Sequence, residues 1–166
     1  MRERGARCLA RGLGAGVLGT LALTGLEPLR DALLGHPPPY AVKHLASRAA
    51  RRWLGVRLGP REAQRWGLAL RWVYGPTLGV LYAWLRPSLS GNTWLRRLTL
   101  THGVWSFERL AFPLLRVTSP PRTWSPPERL LLPLQVAVFS LVTEAVLSRR
   151  EREGAWVAPS ISSSPP

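Results

Sequence analysis

The chain has 166 residues, enough for one domain, and a formal net charge of +14 from 23 basic and 9 acidic residues. The single cysteine, Cys8, excludes an internal disulfide and any cysteine-based zinc site. A chain this basic is typical of proteins that bind nucleic acid or the anionic face of a membrane. Most arginines lie between apolar runs rather than among exposed aromatic residues, which favours the membrane and argues against nucleic acid.

The first apolar run covers residues 9–27 and follows an arginine-rich start. A cleaved signal peptide has a similar composition, but no small-x-small cleavage site follows, and the run ends in LEPLRD. We therefore expect a retained helix that crosses the bilayer. Gly35 and the prolines that follow it predict a firm end to this helix.

Residues 40–54 predict a basic amphipathic helix between the first two spans. Val42, Leu45, Ala49 and Trp53 fall on one helical face, opposite the basic side chains. Such a helix lies on a membrane surface with its cations against anionic headgroups, and the alternative is a solvated helix packed on its own bundle. The candidate headgroup-binding residues are Lys43, Arg48, Arg51 and Arg52.

The second run, residues 66–85, is bracketed by Trp66 and Trp84. An indole ring prefers the boundary between water and lipid, because the ring is apolar and its N–H needs a polar partner. The 18 positions from Trp66 to Trp84 span about 27 Å of helix, close to the thickness of the hydrocarbon core. Gly59 and Pro60 predict the start of this helix.

The third and fourth runs cover residues 95–117 and 129–148, with Asn92 or Thr93 and Ser125 as N-cap candidates. The sequence therefore predicts an all-α fold: a four-helix transmembrane bundle with a basic amphipathic interfacial helix between spans 1 and 2. Residues 1–150 form one membrane domain in this interpretation. The Ser/Pro-rich tail over residues 154–166 is expected to be disordered.

Small residues recur at four-residue spacing in the first two spans. Gly12 and Gly16 lie on one stripe of the first span, and Gly75 and Gly79 on one stripe of the second. Helices in lipid associate through close packing at small residues. We expect these glycines to join the first two helices or to join protomers in a homo-oligomer.

Five ionisable residues fall inside the predicted spans: Arg71, His102, Glu108, Arg109 and Glu144. A charge at the centre of the bilayer costs about 2.5–3.5 kcal/mol on insertion scales, so we expect these side chains to face inward and to pair. Counting depth along antiparallel helices at about 1.5 Å per residue predicts two pairs. They are Arg71 with Glu108 and His102 with Glu144.

Three roles remain open for this polar core. The side chains either cross-link the helices, carry a proton or cation, or reach the interface by snorkelling. Ligation of haem or metal by His102 is a weaker alternative, because His36 and His44 lie outside the spans. No phosphate-binding glycine loop, H-E-x-x-H or G-x-S-x-G motif is present, so we expect neither an enzyme nor a bound cofactor or metal.

The segments AGVLGTLALTGLE and WVYGPTLGVLYAWL, followed by a third span ending in a proline and a short turn, resemble the YagU-like inner membrane proteins over residues 12–147. The resemblance implies a multi-pass protein of the bacterial inner membrane and no established activity. The compact basic cluster before the first span predicts that both termini are cytoplasmic. The alternatives to a non-enzymatic membrane protein are a small proton- or cation-coupled transporter using Glu108 and Glu144, and a soluble basic nucleic-acid-binding protein.

Overall fold

The computed structural model describes the backbone of residues 2–89 and 92–156 and the side chains of residues 5–89, 92–149 and 152. This part of the chain is helical and contains no β-strand. Its five α-helices are α1 (Arg2–Leu34), α2 (Val42–Ala49), α3 (Pro60–Leu85), α4 (Thr93–Leu114) and α5 (Pro126–Trp156). The predicted all-α class is therefore correct.

Helix ends follow local chemistry. Helix α1 ends before Gly35, whose φ of 71° is a left-handed conformation that glycine adopts without strain. Helix α3 begins at Pro60, where the missing N–H removes a donor that has no helical partner. Asn92 caps α4, because its Oδ1 accepts a hydrogen bond from the Leu95 amide at 3.0 Å.

The N-terminus of α5 is capped by the acidic side chain of Glu128 rather than by the hydroxyl of Ser125, the predicted N-cap. Glu128 Oε2 accepts hydrogen bonds from the Ser125 amide at 2.6 Å and from the Ser125 hydroxyl at 2.9 Å. The hydroxyl thus donates to the carboxylate instead of accepting from the helix. The acidic charge also suits the positive end of the helix dipole.

Three long helices form the centre of the molecule: α1 packs against both α3 and α5. Helix α4 packs mainly against α5, and the short α2 packs against α3. A second, smaller core lies near the start of α5, where the ring of Tyr40 lies tilted against that of Trp124 with 5.0 Å between the ring centres. The Tyr40 hydroxyl donates a hydrogen bond to the Glu128 carbonyl at 3.0 Å, and burial raises the pKa of Tyr40 to about 12.

Within the described chain, α1 (over Gly5–Leu34) and α5 (over Pro126–Arg149) are long and apolar enough to cross a membrane. Helices α3 and α4, which contain the second and third predicted spans, do not meet the same standard of length and apolarity. Their runs are interrupted by Arg71 in α3 and by Glu108 and Arg109 in α4.

The segment 40–54, predicted as one amphipathic helix, consists of a short α-helix followed by a π-helical turn. Helix α2 covers Val42–Ala49, and a π-helical turn covers Ala50–Leu54 before Gly55 ends it at φ 68°. The predicted disordered tail begins inside α5, which continues to Trp156; residues 157–166 lie outside the described residues.

Candidate functional site

The four predicted packing glycines meet along the contact between α1 and α3. A Cβ atom on Gly16 would lie 2.7 Å from the Gly75 carbonyl oxygen, and one on Gly12 would lie 2.8 Å from the Gly79 carbonyl oxygen. Cβ atoms essentially never come this close to backbone, so only glycine fits at these positions. The two backbones are therefore in direct contact along this seam, which fixes the depth of α3 relative to α1.

A buried ionic cluster joins the C-terminal end of α3 to α5. The Arg86 guanidinium donates to Glu144 Oε1 at 2.9 Å from Nη2 and to Oε2 at 3.0 Å from Nε. Tyr82 donates its hydroxyl proton to Glu144 Oε2 at 2.7 Å, and the Ser148 hydroxyl donates to Oε1 at 2.9 Å. The Glu144 side chain is fully buried and that of Arg86 is 6% exposed. Both carboxylate oxygens are thus occupied by donors.

This cluster corrects the predicted pair of His102 with Glu144. His102 lies on the exposed face of α4, where its ring is 5.7 Å from the ring of Trp105. Arg109 lies on the same face, with its guanidinium 5.2 Å from the centre of the Trp105 ring. Residues 102, 105 and 109 share one side of a helix, so neither His102 nor Arg109 belongs to the interior.

A second ionic cluster joins α1 to α3 near the C-terminal end of α1. Arg71 donates from Nη2 to Glu27 Oε1 at 2.7 Å, and Arg30 lies 3.5 Å from the same oxygen. Arg30 also donates to Asp31 at 2.7 Å and is 4% exposed. The predicted pair of Arg71 with Glu108 is therefore wrong. Arg71 pairs instead with Glu27 of α1, the helix that α3 contacts most extensively.

Glu108 instead lines a small cavity of about 100 Å³ in the middle of the bundle. Arg30, Arg71, Tyr74 and Gln135 line the same cavity. Among the residues whose side chains are described, Glu108 forms no ion pair within 4.0 Å. The Tyr74 hydroxyl is buried beside Glu108 without a hydrogen bond of normal geometry. The cavity thus holds a carboxyl that lacks an ion pair within 4.0 Å beside a buried hydroxyl.

The basic residues of the α2 region form a separate surface site. A cleft of about 590 Å³ is lined by His44, Ser47, Arg48, Arg51, Arg57 and Leu58. Of the predicted headgroup residues, Arg48 and Arg51 line this cleft, Lys43 lies beside His44, and Arg52 is exposed on the π-helical turn. Burial, followed by the charges of Lys43 and Arg48, lowers the pKa of His44 below its usual value.

Sequence reasoning missed Arg86, Glu27 and Tyr82 as members of the polar interior. Glu27 is the last residue of the first apolar run, Arg86 lies in the connector after the second run, and Tyr82 lies within the second run. The depth count could have identified Arg86, because the long side chain of an arginine at a helix end reaches about one turn back toward the interior. In the part of the chain that the structure describes, no group of three or more metal-ligating side chains occurs.

No protein family, curated protein or solved structure matches this chain. The resemblance to YagU-like proteins therefore stays a prediction.

Proposed function

We propose that the chain is an integral membrane protein whose four long helices, α1, α3, α4 and α5, cross the bilayer. The observation that carries this proposal is the distribution of side chains: polar ones are buried and large apolar ones are exposed, the reverse of a water-soluble protein. Glu144, Thr20, Thr143 and Ser140 are among the largest fully buried side chains. Leu114, Leu110 and Trp84 are 83%, 71% and 71% exposed. Water favours the opposite arrangement, whereas lipid favours apolar side chains outside and polar ones within the bundle.

The two most apolar helices support the same proposal. Their apolar windows are only 28% buried in α1 and 39% buried in α5. The core helix of a water-soluble protein is mostly buried, so these helices need another apolar surface to cover them. Acyl chains provide that surface along the whole length of a helix.

Tryptophans at the helix ends support four spans rather than two. Trp66 and Trp84 lie near the two ends of α3 and are 60% and 71% exposed. Trp94, at the start of α4, is 64% exposed, and Trp53, on the π-helical turn, is 60% exposed. Exposed indoles at both ends of a bundle are typical of the two boundaries between lipid and water. The polar residues of α3 and α4 that interrupt their apolarity, Arg71 and Glu108, line the interior cavity.

We further propose that the basic cleft of the α2 region binds anionic lipid headgroups. Arg48, Arg51 and Arg57 converge on it, together with the Ser47 hydroxyl. Three guanidinium groups around a hydroxyl suit a phosphate, which accepts hydrogen bonds from each of them. Trp53 and Leu54 are 60% and 75% exposed beside the cleft and would enter the lipid next to the bound headgroup.

For the interior, we propose a structural role for the Arg86–Glu144 and Arg71–Glu27 pairs, which cross-link helices without chemistry. A specific observation favours the second candidate function, a proton- or cation-coupled transporter: Glu108 has no ion-pair partner among the described side chains and faces a cavity. Glu144, in contrast, has both oxygens bonded and suits a cross-link. Placement in a bacterial inner membrane with cytoplasmic termini is part of the same proposal.

Membrane extraction tests the main proposal. We expect the chain expressed in bacteria to stay in membranes washed with alkaline carbonate and to dissolve only in detergent. Release by carbonate into the supernatant would contradict a spanning protein.

Cysteine labelling tests the number of spans. In a Cys8→Ser background, four spans predict that Ser88→Cys and Thr123→Cys react with an impermeant maleimide from opposite sides, because α4 lies between them. Both positions are described, and both are exposed. Labelling of the two positions from the same side would contradict a spanning α4.

A further inference from the structure

One wall of the basic cleft is a single face of α2 and of the π-helical turn that follows it. His44, Ser47, Arg48 and Arg51 are three or four positions apart along the chain, so they lie on the same side of the helix. The Ser47 hydroxyl donates its proton to the Lys43 carbonyl at 2.9 Å. The donors that this wall offers to a ligand are therefore chiefly guanidinium groups and the imidazole.

The opposite wall depends on a glycine. Gly55 ends the π-helical turn with a left-handed φ of 68°, a conformation that other residues rarely adopt. The Val56 amide then donates to the Ala50 carbonyl at 3.3 Å, which fixes the direction of the chain after the turn. The next two residues, Arg57 and Leu58, line the same cleft as α2. Local backbone geometry thus adds a third arginine to the two on the helix.

The three arginines of the cleft have no carboxylate partner. In the part of the chain that the structure describes, Arg48, Arg51 and Arg57 form no ion pair within 4.0 Å. Two carboxylates belong to neighbouring elements, but Asp31 binds Arg30 at 2.7 Å and Glu62 accepts from the backbone amide at the start of α3. The lining itself therefore contains three permanent positive charges and no negative one.

This charge count favours a doubly charged ligand over a singly charged one. A phosphodiester headgroup has one negative charge, which would leave two of the three arginine charges unbalanced. A phosphomonoester has three terminal oxygens and about 1.5–2 negative charges at about pH 7. Three oxygens can each accept from a different guanidinium group, and charge-assisted bonds of this kind are the strong ones. His44 adds a further positive charge whenever its imidazole is protonated.

We propose that the cleft selects membrane lipids whose headgroup is a phosphomonoester, such as phosphatidic acid, over lipids with phosphodiester headgroups. The proposal rests on the headgroup binding proposed above and names the class of headgroup. A lipid is favoured over a soluble phosphate ester by the apolar side chains beside the cleft. Trp53 and Leu54 are exposed there, and Val56 is 50% exposed, so all three can pack against the acyl chains of the bound lipid.

Calorimetry on the full chain in a nonionic detergent tests this selectivity. The chain would be titrated with mixed micelles of the same detergent that contain phosphatidic acid, phosphatidylglycerol or cardiolipin, and protein-free titrations would be subtracted. Cardiolipin is the charge-matched control, because its two phosphodiesters carry about the same total charge as one phosphomonoester at about pH 7.5. We expect phosphatidic acid to bind about fivefold or more tightly than either diester lipid.

Arginine variants locate the effect. Arg57→Gln removes a cation of the cleft, whereas Arg61→Gln removes one from the first turn of α3 that does not line it, and both side chains are exposed. We expect Arg57→Gln to weaken phosphatidic acid binding about tenfold and to remove the preference, and Arg61→Gln to weaken all three lipids less than about twofold. Arg57→Lys keeps the charge but loses the planar fork, so it should weaken binding about two- to fivefold.

The outcomes separate the selectivity from the headgroup site itself. Equal binding of phosphatidic acid and cardiolipin would refute the selectivity and leave the headgroup site standing. Binding of all three lipids no tighter than that of phosphatidylcholine would refute both proposals. Equal losses in Arg57→Gln and Arg61→Gln proteins of unchanged helix content would refute the assignment to this cleft. Glycerol 3-phosphate, which has the phosphomonoester without acyl chains, should bind at least about tenfold more weakly, and equal affinity would refute a lipid ligand.

Discussion

The buried Arg86–Glu144 pair allows a sharp test of what holds the helices together. Glu144→Ala removes both carboxylate oxygens and leaves the Arg86 charge, 6% exposed, without its carboxylate. Removing one partner of a buried pair costs about 3–5 kcal/mol of folding free energy, which is at least a hundredfold in the folding equilibrium. We expect Arg86→Met combined with Glu144→Leu to cost much less, because no charge then stays buried.

The assay is unfolding of the detergent-solubilised protein by increasing mole fractions of sodium dodecyl sulfate, followed by circular dichroism. Glu144→Gln serves as the milder variant, because its amide oxygen still accepts from Tyr82 or Ser148, which are now 2.7 and 2.9 Å from the carboxylate. It should fall between the wild type and the alanine variant. If the double apolar variant proves less stable than Glu144→Ala, the pair contributes net stability and our reasoning about charge burial is wrong.

Three further predictions concern packing, capping and headgroup binding. Gly16→Ala should destabilise the protein by about 1–3 kcal/mol in the same assay, because its Cβ would lie 2.7 Å from the Gly75 carbonyl oxygen. Gly25→Ala is the control: nothing lies within 4 Å of its Cβ, so it should be neutral or stabilising. Equal effects of the two substitutions would contradict direct backbone contact between α1 and α3. Asn92→Ala should cost about 0.5–2 kcal/mol through loss of the α4 cap, and an unchanged unfolding midpoint would exclude that role. The lowered pKa keeps His44 neutral near pH 7, whereas a bound anion favours the imidazolium. Binding of the wild type to anionic vesicles should therefore strengthen as the pH falls from about 7.5 to about 5.5, and binding of His44→Gln should not. The same pH response in both proteins would rule out His44 as its source.

Local features of the structure were predictable from the sequence because they depend on neighbours in the chain. Gly35 ends α1 and Pro60 begins α3 at the expected residues, since a left-handed glycine and a proline at the first helical position act through their own backbone. Four-residue spacing likewise places Gly12 and Gly16 on one side of α1 and Gly75 and Gly79 on one side of α3. The structure shows that these two sides face each other.

The ion pairs could not be predicted in the same way. A depth count gives the position of a residue along the bundle axis, but the rotation of each helix decides which neighbour its side chain faces. Arg71 was placed at a suitable depth, yet α3 turns it toward Glu27 of α1 rather than toward α4. The prediction for His102 is wrong because α4 turns it to the exposed side of the helix, where its ring lies near that of the half-buried Trp105.

The 58 positions that separate Arg86 from Glu144 have a consequence for biogenesis. In the membrane-spanning arrangement proposed above, the arginine leaves the ribosome long before its partner, and the nascent chain must hold that guanidinium near the headgroups until the last helix arrives. The Arg86–Glu144 pair therefore forms only after α5 has been made. A chain truncated before α5 would lack the Glu144 carboxylate that Arg86 binds, and the proposed membrane location would then expose it to membrane proteases.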